Sequence, residues 1–322
     1  MKAYRLHAFE GLAGLRFEDV EVPTPGPGEV LIRQTAIGVN FSEVSRLVGR
    51  YPGPPLPSGI GMEGAGVVEA LGEGVTRFAL GDRIVGLGGP SYSEKRVAAA
   101  DRAVIIPPEV SDDVAAAAFG KGLTAAYLVE KAYAIRPGDT VLVHAAAGGV
   151  GQVLCQWAKA LGARVIGTAG SPEKLDFALA HGCDAAIDYR EDDFVARVKE
   201  LTDGQGVEVV YDSVGKDTFM GSLDCLKLRG TMVSYGSASG PVPPLDIALL
   251  GQKGSLTVKR ASLPHYLVTG ADIQAAAAAL MARLVDGSIT VRIDKVYPLA
   301  EAPQALADMG GRTTIGSLVL RP

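Results

Sequence analysis

The sequence predicts an α/β chain in two parts: a mostly antiparallel β domain and a domain with a doubly wound parallel sheet that binds a nucleotide. Three observations carry this. Residues 1 to about 122 read as short alternating runs punctuated by Gly and Pro. From residue 123 onward, continuous apolar runs alternate with helical runs five times. Between one strand-like and one helix-like run stands Val143-His-Ala-Ala-Ala-Gly-Gly-Val-Gly151, a nearly bare turn. The length of 322 residues fits about two domains.

The N-terminus, MKAYRLHAFEGLAGLRFEDVEVP, alternates like a strand and lacks the apolar centre of a signal peptide. GEVLIRQTAIGVN, GAGVVEALGEG and GDRIVGLGG supply further short strands, while GRYPGPPLPSGIG reads as a loop because its prolines forbid regular pairing. The second half opens with the strand TVLVHAA and the helix Gly151–Leu161. ARVIGTAG, CDAAIDY, VEVVYDSVG and TMVSYGS then read as strands, interleaved with the helical runs SPEKLDFALAHG, DDFVARVKELTDG and DTFMGSLDCLKLRG. Right-handed crossovers between such units give a doubly wound sheet. SITVRIDKVYPL returns to β character and is expected to rejoin the first domain. The expected boundaries are therefore 1–122 with 266–322 for one domain, and 123–265 for the other.

Composition narrows the function. Hydrophobic residues make up 48% and charged residues 21%, an ordinary globular balance. The formal charge of −5, with no basic stripe interleaved with aromatics, argues against nucleic acid and anionic membrane as partners. No window of 18 apolar residues predicts a membrane span. Cys155, Cys183 and Cys225 are few, odd in number and far apart, which suggests reduced thiols and a cytosolic setting. Without a Cys-x-x-Cys pair, a structural zinc is not expected.

The bare turn has a physical use. A helix N-terminus presents unpaired N–H groups and a partial positive charge, a ready site for phosphate. Ala145-x-x-Gly148-x-x-Gly151 is a variant of the dinucleotide fingerprint. In it Gly148 lets the pyrophosphate approach the backbone and Gly151 lets helix and strand lie close. The plain alternative is a tight turn that binds nothing. The next strand addresses which nucleotide. Sites for NADH usually end it in an acid that binds the ribose 2′-OH. Here it ends Thr168-Ala169-Gly170-Ser171, with Lys174 just inside the following helix. A small turn plus a cation suits a 2′-phosphate, hence NADPH. Ser171 could equally cap the helix, with Pro172 at its first position; the two roles are compatible.

These residues join a recognisable set: GVNFSEVSRLVGRYP, LPSGIGMEGAGVVEALGEGV, GDRIVG, FGKGLTAAYL, VHAAAGGVGQ, DYREDD, YDSVG and RTTIGSLVL. Over essentially its full length the chain resembles the medium-chain dehydrogenase/reductase superfamily. Within it, the match is to the zinc-free quinone oxidoreductase branch that includes bacterial NADPH:quinone reductases and ζ-crystallin. The resemblance implies a GroES-like catalytic domain beside a Rossmann domain, and a homodimer through the nucleotide domain. Zinc alcohol dehydrogenases carry Gly-His-Glu where this chain has Gly61-Met62-Glu63, and a thioether is a poor zinc ligand. His7, His144, His181 and His265 are not spaced as a ligand pair, so no metal is expected.

The resemblance also implies site residues. Asn40, Phe41, Thr124 and Tyr127 would touch the cofactor, as would the turn Ala147, Gly148, Gly149, Val150 and Gly151. Thr168, Gly170, Ser171, Lys174 and Tyr189 would surround the 2′-phosphate end, with Arg312 reaching the same nucleotide. Ser213, Tyr235, Gly236 and Ser237 would line it from two further strand ends. Asn40 and Tyr51 would stabilise the substrate oxyanion, and Thr124 would hold the nicotinamide carboxamide. Bland readings stand beside these: Asn40 as a turn residue, Tyr51 as a loop aromatic, Thr124 as a residue of a helix N-terminus, Tyr189 as a surface aromatic and Arg312 as a solvated cation. Ser45 stands where a tyrosine is common and Met62 where a threonine is common, which would make the pocket roomier at one point and more apolar at the other. The implied reaction is hydride delivery from NADPH to a quinone, an electron-poor acceptor that needs less Lewis-acid help than an alcohol or simple ketone. The alternatives are reduction of alkenals, enones or enoyl thioesters and, in another class, an RNA-binding or crystallin-like structural role.

Overall fold

Glu29–Val39 is an eleven-residue strand with Val30, Ile32, Ile37 and Val39 wholly buried. Such a run needs partners on both edges. In the computed structural model, which describes residues 1–322, it pairs antiparallel with Glu63–Leu71, with Lys95–Ala99 and with Ser317–Arg321. Arg83–Leu87, Ala103–Ile105 and Ile293–Pro298 complete a seven-stranded sheet, and only the Ile293–Pro298 pairing is parallel. A second, three-stranded antiparallel sheet joins Leu15–Asp19, Lys2–Leu6 and the two residues Ser58–Gly59. Residues 50–57 carry no helix or strand, in keeping with the proline-rich reading. Register positions the site: Gly64 pairs with Ile37, so Asn40 leaves one strand beside the place where Met62 enters its neighbour.

Beneath that point lies a buried ion pair. Glu63 and Lys121 are 0% and 5% exposed, with Oε1 and Nζ 3.2 Å apart. The Gly120 N–H donates to the other carboxylate oxygen. Lys121 sits on the helix Asp112–Tyr127, which the run FGKGLTAAYL forms with acidic residues in its first turn.

The nucleotide half has six parallel strands. In spatial order they are Ala185–Asp188, Arg164–Ala169, Thr140–Val143, Val207–Asp212, Leu226–Ser234 and Thr257–Arg260. Counted along the chain this order is 3-2-1-4-5-6, the doubly wound arrangement, with the ligand crevice at the first strand. Leu142, Ile166, Val210 and Met232 fill its core. Three local readings need correction. The first helix begins at Gly149, two residues before the expected Gly151. DTFMGSLDCLKLRG is helical only over Phe219–Cys225, because Leu226 already pairs with Val207. A bulge containing Arg229, at φ 62°, absorbs the extra residues before Thr231 pairs with Val209. The short sixth strand, TVKR, was not read as one.

Contacts divide the chain into two units: Met1–Leu123 with Thr269–Asp286 and Val291–Pro322, and Thr124–Val268 with Gly287–Thr290. The first boundary falls inside the helix Asp112–Tyr127, one residue past the expected change at 122/123. The C-terminal return begins three residues later than expected. Gly287–Thr290 groups with the nucleotide unit, since the Gln156 amide donates to Thr290 O and accepts from Thr290 N–H, both at 2.9 Å.

Removing one partner of a buried pair strands the other. Lys121→Met is expected to cost about 3–5 kcal/mol in urea unfolding, while Glu63→Gln with Lys121→Met recovers most of that loss. A double variant as unstable as the single one would show that the charge pairing is not what Lys121 contributes.

Candidate functional site

The phosphate turn follows from the sheet. Thr140–Val143 ends at the crevice, Ala145 takes φ 54°, and Gly148 in extended conformation caps the twelve-residue helix Gly149–Ala160. A β-carbon on Gly151 would collide with the Ala145 and Ala146 carbonyls, so that position admits no side chain. Gly148 is less enclosed: its missing side chain would meet only Ala145 O, at 3.1 Å. Ala147 is buried; Gly149 and Val150 are half-buried in the first helical turn. The cradle therefore offers bare backbone and a helix N-terminus to a pyrophosphate.

At the second strand tip, the Lys174 N–H donates to Ser171 Oγ at 3.4 Å and Pro172 opens the helix, so Ser171 is a cap. A β-carbon on Gly170 would lie 2.5 Å from Tyr189 Oη and 3.0 Å from Arg190 Nε. Tyr189, 43% exposed, thus bends over the bare Gly170 together with Arg190, a cation the sequence reading passed over. Asp188 pairs in register with Ala169, but its carboxylate accepts the Arg190 backbone N–H at 3.0 Å. Lys174 is half-buried in the first turn of the following helix.

Thr168 is placed differently. It is 1% exposed, and its hydroxyl bonds His144 Nδ1 at 2.9 Å. This begins a buried polar chain: His144 Nε2 to Ser222 Oγ at 2.9 Å, and Ser222 Oγ donating to Asp212 Oδ2 at 3.1 Å. Thr218 donates to the same oxygen at 2.7 Å, and the N–H groups of Val214 and Gly215 donate to Oδ1 at 2.7 and 2.9 Å. Since Ser222 gives its proton to Asp212, it accepts from Nε2–H, and Nδ1 accepts from Thr168. Burial holds the His144 pKa below its usual value, in keeping with this neutral tautomer. The chain fixes the turn carrying Ser213. Ser213 and the half-buried Tyr235 are hydrogen-bonded, and burial raises the Tyr235 pKa. Gly236 packs on the Ser213 backbone and Ser237 is exposed. None of His144, Asp212 or Ser222 was legible as a positioning group.

Two further residues depart from expectation. Thr124 is the thirteenth of sixteen residues in its helix, near the C-terminal end, so it is no N-terminal residue. Tyr127 is 2% exposed and stacks on Tyr266 with centroids 4.8 Å apart, which commits one ring face to protein. Arg312, in the other unit, is exposed at φ 57° in a turn whose N–H donates to Met309 O.

A pocket beside the predicted oxyanion residues lies in the β unit. It measures about 110 Å³ and is lined by Ser42, Glu43, Arg46, Tyr51 and Met62 among others. Asn40 is the N-cap of the helix Phe41–Leu47, and its backbone N–H donates to Glu43 Oε2 at 2.8 Å. Phe41 is half-buried at the first helical position. The Ser42 hydroxyl donates to Met62 Sδ at 3.2 Å, so Met62 is a pocket wall rather than pure core. Arg46 was not foreseen. It is 8% exposed, lies 5.4 Å from the Phe9 ring, and donates to Tyr51 O at 3.4 Å, to Pro54 O and to Ser58 Oγ at 3.4 Å. That one guanidinium rivets the loop that carries Tyr51. Burial, then the charge of Glu63, pushes the Glu43 carboxyl up to about 7.

A zinc ion does not fit this set. Nowhere do three or more His, Cys, Asp or Glu side chains gather to hold a metal. At the positions in question Met62 faces Ser42 and Glu63 is paired with Lys121. The three cysteines are buried and free, and no helix is long and apolar enough to cross a membrane.

Comparison with known proteins agrees with this geometry. The alcohol dehydrogenase GroES-like domain model matches residues 26–175, and the zinc-binding dehydrogenase model matches residues 149–283. A quinone oxidoreductase of Pseudomonas aeruginosa is 47% identical over 323 residues, covering 100% of this chain and 99% of that protein. A 2-haloacrylate reductase of a Burkholderia species is 42% identical, covering 98% of each. The crystal structure of Escherichia coli quinone oxidoreductase complexed with NADPH matches with a TM-score of 0.96 at 44% identity, covering 100% of both chains. With full-length identity at this level and both domain models matched, the chain belongs to the quinone oxidoreductase branch of the medium-chain dehydrogenase/reductase superfamily.

Proposed function

We propose that this chain is an NADPH-dependent, zinc-independent quinone oxidoreductase, and that the residues above divide its work. The observation that carries the reading is a pocket in which the hydroxyls of Ser42 and Tyr51 stand beside Met62, the position where zinc relatives carry a metal-binding histidine, with Asn40 capping the helix next to it. Bound NADPH supplies a hydride, and the protein supplies position and electrostatics. Gly148 leaves its surface bare to the pyrophosphate, and the first helical turn, Gly149 to Gly151, presents its N–H groups to it. Lys174, Tyr189 and Arg190 grip the 2′-phosphate around bare Gly170, and Ser213 and Tyr235 shape the crevice beside it. Thr124 holds the carboxamide. The Asn40 amide and the Tyr51 phenol donate to the oxyanion that develops on the acceptor. Arg46 keeps Tyr51 in place. The assembly is a homodimer in the cytosol; family membership supports the first and the three free cysteines the second.

The identity with a 2-haloacrylate reductase favours one further reading, reduction of a conjugated double bond by the same hydride geometry. Steady-state assays with NADPH and NADH decide between them. Benzoquinone and naphthoquinones should outperform alkenals and haloacrylates in kcat/KM, and the reverse order would transfer the assignment to the second reading. Lys174→Ala should raise the KM for NADPH about tenfold or more, the value of a charge-assisted hydrogen bond, and leave NADH nearly unaffected. An unmoved KM for NADPH would remove Lys174 from the 2′-phosphate site. Arg46→Met should raise the KM for quinone several-fold with the KM for NADPH unchanged, because it frees the loop without touching the nucleotide unit. Equal loss on both substrates would point to general unfolding instead.

A further inference from the structure

Glu43 is a buried acid at the substrate pocket with no part in the chemistry above. It is 2% exposed, yet it lines the pocket beside Ser42, Tyr51 and Met62. Oε2 accepts the Asn40 backbone N–H at 2.8 Å and lies 3.3 Å from Ser42 Oγ; Oε1 lies 3.4 Å from Asn40 Nδ2. Capping the helix requires only an acceptor for one N–H, which a neutral amide would provide. A carboxyl group there is an expense that capping does not explain.

The surroundings leave Glu43 without a counter-ion of its own. Glu63 faces it from the strand Glu63–Leu71, and Tyr92 from the segment after Pro90. Lys121, from the helix Asp112–Tyr127, is the nearby ammonium, and it is paired to Glu63. Arg46, one turn along the same helix, spends its donors on the loop carbonyls and Ser58. Lys121 and the buried Arg96 guanidinium both act on Glu63, which leaves Glu43 without an ion-pair partner, and a proton is the cheapest way to neutralise it there.

We propose that Glu43 is the acid that protonates the reduced substrate, passing its proton through the hydroxyl of Ser42. The proposal rests on the quinone reading. Hydride arrival leaves an oxyanion on the ring. The Ser42 O–H bond breaks as its proton moves to that oxygen, and the carboxyl O–H of Glu43 breaks as its proton restores Ser42. Glu43 ends as a carboxylate and regains a proton from solvent. Both electrons come from the nicotinamide C–H bond, so no other reductant is needed. The hydrogen bonds give the relay its switch. An ionised Glu43 draws the Ser42 proton inward, away from the pocket. A protonated Glu43 donates to Ser42 Oγ and frees the Ser42 O–H for the substrate, where only a weak thioether acceptor now competes. A carboxyl that titrates at about 7 is well matched to this task near neutrality.

The test compares the native chain with Glu43→Gln, which keeps the cap acceptor, and Ser42→Ala, which cuts the relay. At saturating NADPH and quinone, native kcat should fall as pH rises through about 7. Each variant should lower kcat about tenfold or more below that pH and lose the falling limb. NADPH affinity, read by fluorescence titration, should stay within about twofold, and the double variant should be no slower than either single one. Infrared difference titration of native against Glu43→Gln should show a carboxyl band disappearing near neutral pH. A Glu43→Gln enzyme with the native pH profile, or a Glu43 already ionised well below neutrality, overturns the proposal. If the native chain reduces alkenals but no quinone, the quinone reading falls instead. The infrared titration and the pH profile with alkenals then decide Glu43 separately.

Discussion

Charge balance beneath the substrate pocket is the constraint on which the β unit turns. Glu43 and Glu63 are both buried, and Lys121 is the ammonium set between them. Lys121 and the buried Arg96 guanidinium both act on Glu63, so an ionised Glu43 would hold its charge without an ion-pair partner in a medium that penalises it heavily. The strand pairing that brings Asn40 beside Met62 also brings the cap carboxylate of one segment toward the first residue of the next. The pocket's electrostatics are therefore a by-product of sheet register, and a one-residue slip would dissolve them.

The nucleotide unit obeys a different constraint, the absence of atoms. Gly151 has no room for a β-carbon because the Ala145 and Ala146 carbonyls already occupy it. At Gly170 a β-carbon would first have to push aside the side-chain ends of Tyr189 and Arg190, which fold across it. What fills these places from within fixes what is left to face outward: bare backbone at the turn, and an aromatic with a guanidinium at the second strand tip. The chain through Thr168, His144, Ser222 and Asp212 holds the neighbouring strand ends in register with each other. A fully satisfied polar network of this kind gives rigidity to a crevice otherwise built of glycine.

The order of sheet and helix was legible because both signals are local: apolar runs, and glycines at the strand-to-helix turn. Ser171 could be read as a cap for the same reason, since cap, Pro172 and helix are contiguous. Arg46 and Arg190 escaped because their value lies in what they reach across space, one the proline-rich loop and the other a glycine twenty residues earlier in sequence. His144 was weighed only as a metal ligand, yet its partners are 24 and 78 residues away. DTFMGSLDCLKLRG misled because Leu and Lys suit a helix, while pairing of Leu226 to Val207 decided otherwise. Tyr127 was named from a motif, and a motif cannot show that Tyr266 already covers its ring.

Loss of a metal and gain of a resident proton can be seen as one change. A divalent cation at this end of the sheet would offset nearby carboxylates and polarise the acceptor oxygen at the same time. With Met62 in place of a histidine, both tasks fall to groups carrying at most one unit of charge. Lys121 is paired with Glu63, the buried Arg96 guanidinium also acts on it, and the proton proposed on Glu43 neutralises that carboxyl where it stands. That proton is mobile, whereas a bound cation is not, and it sits one hydroxyl away from the pocket. A quinone, which needs little polarisation to accept a hydride but must collect a proton afterwards, is the acceptor for which that exchange loses least.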